Sequence, residues 1–596
     1  MGQDCRSHDC AALRPALAGK EVRLAGWVHS RRDHGGVYFF DLRDRSGFVQ
    51  VVARPEAAEA FKAASSLGLE DVVTVAGTVQ RRPQGSENPK IPTGDVELIA
   101  SEIRVLNPSK PLPFEIDEHS TVGEETRLKY RFLDLRRRHM LENMTVRHRV
   151  AAAARRLLDA EGFLEVETPM LTKATPEGAR DFLVPARLSP GTFYALPQSP
   201  QIFKQILMVS GLERYYQFAR AFRDEDLRSD RQPEHTQIDI EMSFVEEADV
   251  HALVEKLIVA ACRAAGVELQ APFPRLEHEE AMLRYGSDKP DIRFDFEISD
   301  LTPFFRETKL KVFREPLSNG GVVRGLKSGG SWSRSQLDEL TALVKAQGAK
   351  GLGWLEWESG GASSPIEKFL GTPEKEGLRS SLKPQKGDWL FLVADQPVVA
   401  AGSLGALRKE LIARLKPQPK AEFAPLWVLH FPLLEWEPED KRWTFTHNPF
   451  TAPLESEEGK LDSDPGHVRS HQYDLVLNGV ELASGSIRNH RAAMQRRIFK
   501  LMGFDDAEQE RQFGLLLRAL DFGAPPHGGI AIGYDRLIAI LRGEDSIREV
   551  IAFPKTQKGV CPLSEAPSSV DPRQLKELHI QLALPRPIPA KQPLGS

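Results

Sequence analysis

The stretch "FRDEDLRSDRQPEHTQIDIEMSF", residues 222–244, combines ten charged residues with the alternation of a β-strand. Its second half alternates apolar and acidic side chains: Ile238, Asp239, Ile240, Glu241, Met242 and Phe244. The preceding run "YYQFARAF", residues 215–222, alternates too. Because successive side chains of a strand point to opposite faces, the two runs predict an antiparallel hairpin. One face of this hairpin would be polar and carry Gln217, Arg223, Glu225, Gln237, Asp239 and Glu241.

The polar face of this hairpin has two interpretations. Arg223 has donors in a planar fork, which suits a bidentate grip on a phosphate or a carboxylate. Glu225 can accept a hydrogen bond from an amine. The alternative is an edge hairpin whose charges simply pair across the strands. The hairpin alone leaves both interpretations open.

Two later stretches favour the phosphate-binding interpretation. "YDLVLNGVELASGSIR", residues 473–488, brings Asp474 and Glu481 close together, and paired carboxylates near phosphate-binding arginines suit Mg²⁺. "GGIAIGYDRLIAIL", residues 528–541, sets Arg536 at the start of an apolar helix, where it can meet a terminal phosphate. The alternative for Arg536 is a surface ion pair with Asp535.

Composition narrows the class of protein. The chain has 596 residues, enough for about three to four domains. A net charge of −5 argues against bulk, non-specific nucleic-acid binding. The four cysteines lack paired zinc spacing, so we expect a reducing compartment and no zinc. The sequence shows neither a membrane-spanning apolar run nor a signal peptide, so we expect a cytoplasmic protein that does not contact a membrane.

The texture of the sequence changes several times along the chain. Residues 1–107 hold short β-rich runs separated by turns, which predict a small closed barrel, with the oligonucleotide-binding barrel as a candidate. A Pro-punctuated linker, "NPSKPLPF", follows. Residues 127–149 carry eight Lys or Arg against two acids. Either they form a solvated helix face, or they contact a polyanion that bridges two domains.

Three further regions can be recognised along the chain: a helix-to-strand joint, an apparent insertion and a Pro-rich end. Helical spacing continues from the basic run to Gly162, where a helix-to-strand joint is predicted. Residues of about 290–420 predict an inserted α/β domain without catalytic side chains, with a helix capped near Ser335 and Asp338. The last thirteen residues, "LPRPIPAKQPLGS", are Pro-rich, and we expect no regular structure there.

In these motifs the chain resembles the class II aminoacyl-tRNA synthetases, and closely the bacterial aspartyl group. The first motif of the class resembles "GFLEVETPML", the second "FRDE…PEHTQIDIE" and the third "GIAIGYDRL". Between them, "TPEGARDF", "QSPQIFKQ" and "GSDKPD" are characteristic of the aspartyl group. The match covers nearly the whole chain, from the barrel through "FPKT" at residues 553–556.

This resemblance implies a multidomain α+β fold. An OB-fold anticodon-binding barrel would span residues 1–107, and a linker or hinge would follow at 108–140. The antiparallel-sheet catalytic domain would occupy 141–290 and 421–562, interrupted at 291–420 by an inserted α/β domain of the GAD type. A C-terminal extension would fill 563–596.

The resemblance also assigns residues to an aspartate-activating site that uses ATP and Mg²⁺. The catalytic residues would be Arg223, Glu481 and Arg536. ATP would contact Arg223, Asp224, Glu225, Gln232, His235, Glu481, Gly533, Tyr534, Asp535 and Arg536. Aspartate would contact Glu177, Ser199, Gln201, Lys204, Arg223, Gln237, Asp239, His447 and Arg488. The metal ion would be carried by Asp474 and Glu481.

Two positions depart from the commoner pattern of the family. His235 stands where a Phe usually stacks on adenine, so we expect a weaker or pH-sensitive grip on ATP. Asn448 replaces the second His of the frequent "HHPF", which puts in doubt any role of a His at that position. The role implied for His447 is not affected.

In the aspartyl family the barrel reads the anticodon. By position, Phe39 would stack on a base, and Arg32 and Gln50 would bond base edges. The alternative for Phe39 is a core position, because one of Phe39 and Phe40 must face inward. His34, before two glycines, and Gly85 resemble enzymes that charge both tRNA(Asp) and tRNA(Asn), and we expect both tRNAs as partners.

The first motif of the class implies a homodimer.

Three rival functions can be compared with the aspartyl-tRNA synthetase interpretation. An asparaginyl-tRNA synthetase fits poorly, since Lys204, Asp239 and the insertion favour aspartate. A paralogue that makes asparagine should lack the barrel. A non-catalytic RNA-binding module should have lost Arg223, Glu481 or Arg536, and all three are present.

Overall fold

A computed structural model describes residues 5–118, 121–175, 178–358 and 361–584. The chain divides into two compact units. The first unit comprises residues 1–145 with the short segments 552–556 and 561–566. The second unit comprises residues 146–551, 557–560 and 567–596. In the described part of the chain, no helix is both long and apolar enough to cross a membrane.

The first unit is built around a closed five-stranded barrel, as the sequence predicts. Its strands are β1 (Glu21–His34), β2 (Val37–Asp44), β3 (Gly47–Ala53), β4 (Val72–Arg81) and β5 (Val96–Asn107), with helix α1 (Ala58–Ser66) after β3. The strands pair in the order β1-β2-β3-β5-β4. Val22, Leu24 and Val28 alternate along β1 into a buried core, because period two sends every second side chain inward.

The basic run behaves differently from both expectations. It spans α2 (Glu124–Lys129), α3 (Arg131–Asp134) and the start of α4 (Arg138–Ala160). Asp134 is fully buried and is bonded by Arg131 at 2.5 Å and Arg137 at 3.3 Å. Arg136 lies 2.7 Å from Glu70. Asp134 and Glu70 therefore neutralise several arginines of the run, whereas Lys129, Arg138 and Arg149 are exposed, so neither expectation alone describes it.

The second unit contains an eight-stranded sheet. Its strands are β6 (Leu164–Glu165), β9 (Arg214–Phe222), β10 (Glu234–Ser243), β11 (Arg275–Glu277), β17 (Pro425–Leu429), β20 (Gln472–Leu477), β21 (Val480–Ile487) and β22 (His527–Gly533). Their order is β11-β17-β20-β21-β22-β10-β9-β6. The six central strands are antiparallel, and only the edge pairs are parallel. Two small hairpins, β7 (Leu183–Pro185) with β8 (Phe193–Ala195) and β18 (Leu434–Glu437) with β19 (Arg442–Phe445), stand apart.

The predicted charged hairpin is confirmed as β9 and β10, which are adjacent strands near one edge of this sheet. Ile238 and Ile240 are fully buried in the main core. Asp239 and Glu241, on the other face of β10, are also fully buried. Strand β9 ends at Phe222, however, so Arg223 and Glu225 lie in the loop beyond it and not on its face, contrary to the prediction.

Helices flank the sheet along the chain. They are α5 (Gln201–Val209), α6 (Glu247–Ala264), α7 (His278–Tyr285), α13 (Ala492–Leu501), α14 (Asp506–Leu520), α15 (Tyr534–Arg542) and α16 (Pro572–Glu577). Apolar residues of α4, α6 and α15 share one core with the sheet. Helix α4 ends at Ala160, and Gly162 takes a φ of 79°, which lets the chain reverse. The strand after it has only two residues and is shorter than "GFLEVETPML" predicts.

The insertion contains a second sheet and five helices. The strands are β12 (Ile298–Asp300), β13 (Val322–Ser328), β14 (Gly353–Glu358), β15 (Gly361–Ser363) and β16 (Trp389–Asp395). The helices are α8 (Thr302–Phe305), α9 (Lys311–Ser318), α10 (Arg334–Ala346), α11 (Thr372–Leu382) and α12 (Pro397–Leu415). The strand pairs are antiparallel, so this layer is α+β and not the α/β arrangement expected. Helix α10 is capped by Ser333 with Gln336, not by Ser335 or Asp338.

Candidate active site

A cavity of ≈ 350 Å³ lies in the second unit, beside β10, β21 and β22. Fifteen of the residues singled out in the sequence line it: Ser199, Gln201, Lys204, Arg223, Glu225, Gln232, His235, Gln237, Asp239, His447, Glu481, Arg488, Gly533, Asp535 and Arg536. Three others, Asp224, Asp474 and Tyr534, are not among its lining residues. Glu177 lies outside the described residues.

Four buried charges form one network, and three of them, Lys204, Asp239 and Arg488, line this cavity. The Lys204 ammonium lies 2.7 Å from Asp239 and 3.3 Å from Glu241. The Arg488 guanidinium grips Glu241 through two nitrogens at 3.0 and 3.2 Å. Burial raises the pKa of Asp239 even though Lys204 opposes the shift. The pKa of Glu241 is lowered, because Arg488 and Lys204 outweigh the effect of its burial.

Glu241 is a member of this network that sequence reasoning did not assign to the site. The alternation of apolar and acidic side chains along β10 places Glu241 on the polar face together with Asp239. This pattern is the sequence signal that could have assigned Glu241 to the site. Its partners come from α5 and from the end of β21, residues far away in sequence. A buried charge is tolerated only when it is paired and hydrogen-bonded, so this network fixes α5 and β21 against β10.

Several polar atoms at the cavity are buried without a hydrogen-bond partner among the described residues. They are Arg223 Nε, Gln237 Oε1, Asp239 Oδ2 and His447 Nδ1. A buried polar group without a partner costs free energy. Their position around one cavity indicates that a polar ligand completes them. The ligand would have to present an acceptor to Arg223 and donors to Gln237 and Asp239.

Three arginines besides Arg488 line the cavity: Arg223, Arg231 and Arg536. Arg536 donates to the main-chain carbonyl of Glu481 and lies 3.5 Å from Asp230. Arg231 pairs with Glu225 at 2.9 Å. Together with Arg223, these guanidinium groups offer several hydrogen-bond donors, which suit the oxygens of a polyphosphate.

The surface ion pair considered for Arg536 is absent. Asp535 is buried, bonds Arg147 at 2.5 Å and accepts a hydrogen bond from the main-chain N–H of Thr236 at 2.8 Å. The hydroxyl of Tyr534 donates to the main-chain carbonyl of Arg147. Asp535 and Tyr534 therefore tie α15 to α4 and β10, and their polar atoms are not free to contact a nucleotide.

Two carboxylates lie on the hairpin of β20 and β21. Asp474 is buried, accepts a hydrogen bond from Gln472 at 2.9 Å and faces His447 Nε2 at 3.3 Å. Its pKa is lowered, because His447 outweighs the effect of burial. Burial and the neighbouring Asp474 raise the pKa of Glu481, which opens into the cavity. Two mutually repelling carboxylates fit a divalent cation, with Glu481 the more accessible of the two.

His447 and its neighbour Asn448 both line the cavity but make different contacts. Burial lowers the pKa of His447, but Asp474 raises it by more, so the net shift is upward. Asn448 uses its side-chain oxygen to accept a hydrogen bond from the main-chain N–H of Phe450 at 2.9 Å. This is the local turn that Asn side chains favour, and it explains Asn448 without a role in chemistry.

His235 should not make ATP binding pH-sensitive, contrary to the expectation from the sequence. Burial, Arg223 and Arg536 lower the pKa of His235 to about 3. The ring is thus neutral from about one unit above that value upward. We expect the KM for ATP to follow the same pH profile in the unaltered chain and in His235→Phe between about pH 5.5 and 8.5. A rise in the KM of the unaltered chain alone below pH 6.5 would contradict this.

The barrel residues occupy one face of the first unit. Phe40 is fully buried, whereas Phe39 is half-buried, so Phe40 is the core residue of the pair. Arg32 is exposed and lies opposite Phe39 in the β1–β2 register. Arg32 also donates to Gln50 at 3.4 Å. Gln50 is buried and also donates to Glu97 at 3.0 Å, so Arg32 and Phe39 are the accessible pair that could bond and stack on an unpaired base.

The two residues expected to discriminate between the tRNAs lie at the end of β1 and in the loop between β4 and β5 of the same unit. His34 is exposed and ends β1, just before Gly35 and Gly36. Gly85 has a φ of +87°, and a Cβ added to it would meet open space. Its glycine is therefore required by backbone conformation and not by crowding.

Comparison with known proteins identifies both regions. The family described as tRNA synthetases class II (D, K and N) matches residues 123–557, and an OB-fold nucleic acid binding domain matches residues 22–106. An Aspartate--tRNA(Asp/Asn) ligase of Moorella thermoacetica is 54% identical over 97% of this chain and 96% of its own. The ligase of the same description from Elusimicrobium minutum is 53% identical over 97% of this chain and 100% of its own.

Solved structures share the fold. Asparaginyl-tRNA synthetase from Pyrococcus horikoshii, complexed with asparaginyl-adenylate, aligns with a TM-score of 0.57 and 20% identity, over 92% of this chain and 98% of its own. A putative aspartyl-tRNA synthetase from Leishmania major gives a TM-score of 0.57 at 20% identity, over 92% and 94%. At this identity the likeness concerns the fold.

Proposed function

Because the chain belongs to the class II tRNA synthetases of the aspartate, lysine and asparagine group, we propose that it is an aspartate–tRNA ligase. It would activate L-aspartate with ATP, release pyrophosphate and transfer the aspartyl group to the 3′ end of tRNA. The observation that carries this proposal is the buried pair of cations, Lys204 and Arg488, in a cavity that Arg223, Arg231 and Arg536 also line.

The buried cations would select aspartate over asparagine. The side-chain carboxylate of aspartate would accept from Lys204 and Arg488, and its ammonium would donate to Asp239 and Gln237, which have unpartnered oxygens. An amide brings no negative charge to these cations and would leave them poorly compensated. Ser199, Gln201 and His447 line the same part of the cavity and would close it around the amino acid.

The chemistry needs no nucleophile from the protein. The α-carboxylate of aspartate attacks the α-phosphorus of ATP, pyrophosphate leaves, and the 3′ hydroxyl of tRNA then attacks the mixed anhydride. Arg223 would hold the α-phosphate and Arg536 the terminal phosphate, so that position and charge carry the rate. Glu225 would accept from the adenine amino group, and His235 would stack on the ring.

The carboxylates on β20 and β21 fit Mg²⁺. Glu481 would bind it directly, and Asp474, already bonded to Gln472, would hold it through its charge or one oxygen. Mg²⁺ prefers carboxylate, water and phosphate oxygens, and it would neutralise the phosphates of ATP. Among the described residues no cluster of three or more metal-ligating side chains occurs, so substrate phosphates would have to complete the coordination.

The exchange of labelled pyrophosphate into ATP tests the activation step. We expect exchange that depends on L-aspartate and Mg²⁺, and exchange with L-asparagine at least about 10³-fold slower in kcat/KM. Faster exchange with asparagine than with aspartate would identify an asparaginyl enzyme instead. No exchange with either amino acid would favour the non-catalytic RNA-binding module.

The tRNA partners would be tRNA(Asp) and tRNA(Asn). The relatives described as Aspartate--tRNA(Asp/Asn) ligase, about half identical over nearly the whole chain, support this. His34 and Gly85 would shape the part of the barrel that meets the last anticodon base.

We also propose a homodimer built on the first motif and a cytoplasmic location. A monomer by light scattering at working concentration would contradict the dimer.

Anticodon reading predicts a variant that separates the two reaction steps. In Phe39→Ala, aminoacylation of tRNA(Asp) should lose about 10- to 100-fold in kcat/KM, because stacking on one base contributes about 1–3 kcal/mol. Pyrophosphate exchange, which needs no tRNA, should stay within twofold. Phe48→Ala is a suitable control, since Phe48 packs on His29 in the same barrel. Equal charging by Phe39→Ala and the unaltered chain would contradict the anticodon role.

A further inference from the structure

The chain enters and leaves the insertion at one place. The loop after α7 leads into it, and the segment before β17 leads out. The main-chain N–H of Lys420 donates to the carbonyl of Arg293 at 3.0 Å, and the Lys420 ammonium pairs with Asp295. We call residues 286–293 and 420–424 the insertion root. It belongs to the same compact unit as the cavity.

The insertion root packs on the turn that precedes Glu481. Asn478 accepts from the main-chain N–H of Ala424 and donates to the carbonyl of Glu422, both at 2.9 Å. Gly479 has a φ of +78°, and a Cβ added there would come within 2.9 Å of Asp291 Cβ. Strand β21 starts at the next residue. The position of Glu481 therefore depends on the root.

The root also brings a cation to Glu481. The Lys289 ammonium lies 3.7 Å from the Glu481 carboxylate and 3.0 Å from Asp288. Glu481 is close to the buried Asp474, so an opposite charge beside it relieves repulsion between the two acids. We propose that Lys289 is a further positioning residue of the ATP site, held beside Glu481 by the insertion root.

Helix α12 fixes the path of this loop. Gly405 on α12 and Gly286 in the root touch so closely that a Cβ on Gly405 would come 2.2 Å from the Gly286 carbonyl oxygen. Arg408 on the same helix donates to the carbonyls of Asp291 at 2.7 Å and Phe294 at 3.0 Å. The longest helix of the insertion thus sets where Lys289 stands. In this account the insertion tunes ATP binding from outside the cavity.

The first test measures ATP affinity without turnover, and it rests on the proposed function only for the choice of ligands. By calorimetry with α,β-methylene-ATP and Mg²⁺, Lys289→Met should bind about tenfold more weakly, since Glu481 loses the cation beside it. The Kd for aspartate should stay within twofold, and Lys289→Arg should recover most of the ATP affinity. Lys256→Met is the control, because Lys256 pairs with Glu161 at 2.8 Å on the surface.

The second test addresses the root. Gly405→Ala must displace the Gly286 loop and should weaken ATP-analogue binding about fivefold. Gly402→Ala lies on the same helix, where an added Cβ meets nothing within 4 Å, and should change nothing. A Gly405→Ala chain that binds the analogue like Gly402→Ala would overturn the part assigned to the insertion.

Two results would overturn the assignment of Lys289. One is an ATP-analogue affinity of Lys289→Met within twofold of the unaltered chain. The other is an equal loss of ATP and aspartate affinity in both Lys289→Met and Lys289→Arg with a lowered melting temperature, which would indicate a purely structural residue. Pyrophosphate exchange by the unaltered chain tests the proposed function separately, since the affinity comparison needs no turnover.

Discussion

Replacing Arg223 with Gln is expected to lower the kcat/KM of aspartate-dependent pyrophosphate exchange by about 10³-fold. Arg223 lines the cavity, and its Nε is buried without a partner among the described residues. A guanidinium prepared in this way can bond the α-phosphate as its charge develops, and removing one such donor from an enclosed site costs roughly 10²–10³-fold in rate. Loss of the charge itself adds to this figure. The melting temperature should change little, because no ion pair of Arg223 is broken.

Arg220→Gln provides the matched control. Arg220 lies on β9, three residues earlier, and is not a lining residue of the cavity; it donates to Glu234 at 2.6 Å and to Thr236, which does line the cavity, at 3.1 Å. Its replacement should leave exchange within about threefold, as is usual for an exposed pair. If Arg223→Gln kept more than a tenth of the exchange rate, the site assignment would be wrong at its most specific residue.

Replacing Arg488 with Met is expected to remove both aspartate binding and part of the stability. Arg488 is buried and holds Glu241 through two hydrogen bonds. Its loss leaves a buried carboxylate with Lys204 as its remaining cation, and breaking a buried pair costs about 3–5 kcal/mol of unfolding free energy. The KM for aspartate should rise at least about 10²-fold, because the substrate carboxylate loses its bidentate partner.

A double variant separates the two effects. In Arg488→Met with Glu241→Gln, the unpaired charge is gone, so most of the lost stability should return. Aspartate activation should not return, because the guanidinium is still missing. Chemical denaturation and pyrophosphate exchange measure the two quantities independently. Recovery of aspartate activation together with stability would show that Arg488 is only a structural partner of Glu241.

The hairpin of β9 and β10 could be predicted from the sequence because its signal is local. Alternation of Ile238 and Ile240 with Asp239 and Glu241 fixes both the strand and its faces. The end of β9 could not be predicted in the same way, since a charged residue after a strand continues the alternation. The bond from the main-chain N–H of Arg223 to the carbonyl of Pro233 closes the loop there, and such a bond has no sequence signature.

Contacts between elements that are distant in the sequence are harder to predict from the sequence. The pairing of Lys204 on α5 with Asp239 on β10 depends on how the helix packs on the sheet, which periodicity does not specify. The ion pairs within the basic run, residues 127–149, could not be predicted for a similar reason. Composition counts its arginines, but only the fold shows that Asp134 and Glu70 neutralise several of them. Phe39 and Phe40 were left undecided because adjacent aromatic residues fit either strand face.

Aminoacylation of tRNA(Asp) and tRNA(Asn) is the decisive measurement of whether the chain is an aspartate–tRNA ligase that accepts both tRNAs. The purified chain would be given labelled aspartate with tRNA(Asp) and, separately, with tRNA(Asn) transcripts, with ATP and Mg²⁺. We expect aspartyl-tRNA from both, with kcat/KM values within about tenfold of each other, because the anticodons differ in one base and the exposed loops beside His34 and at Gly85 would tolerate both bases. Charging of neither tRNA with aspartate, while asparagine is charged to tRNA(Asn), would contradict it.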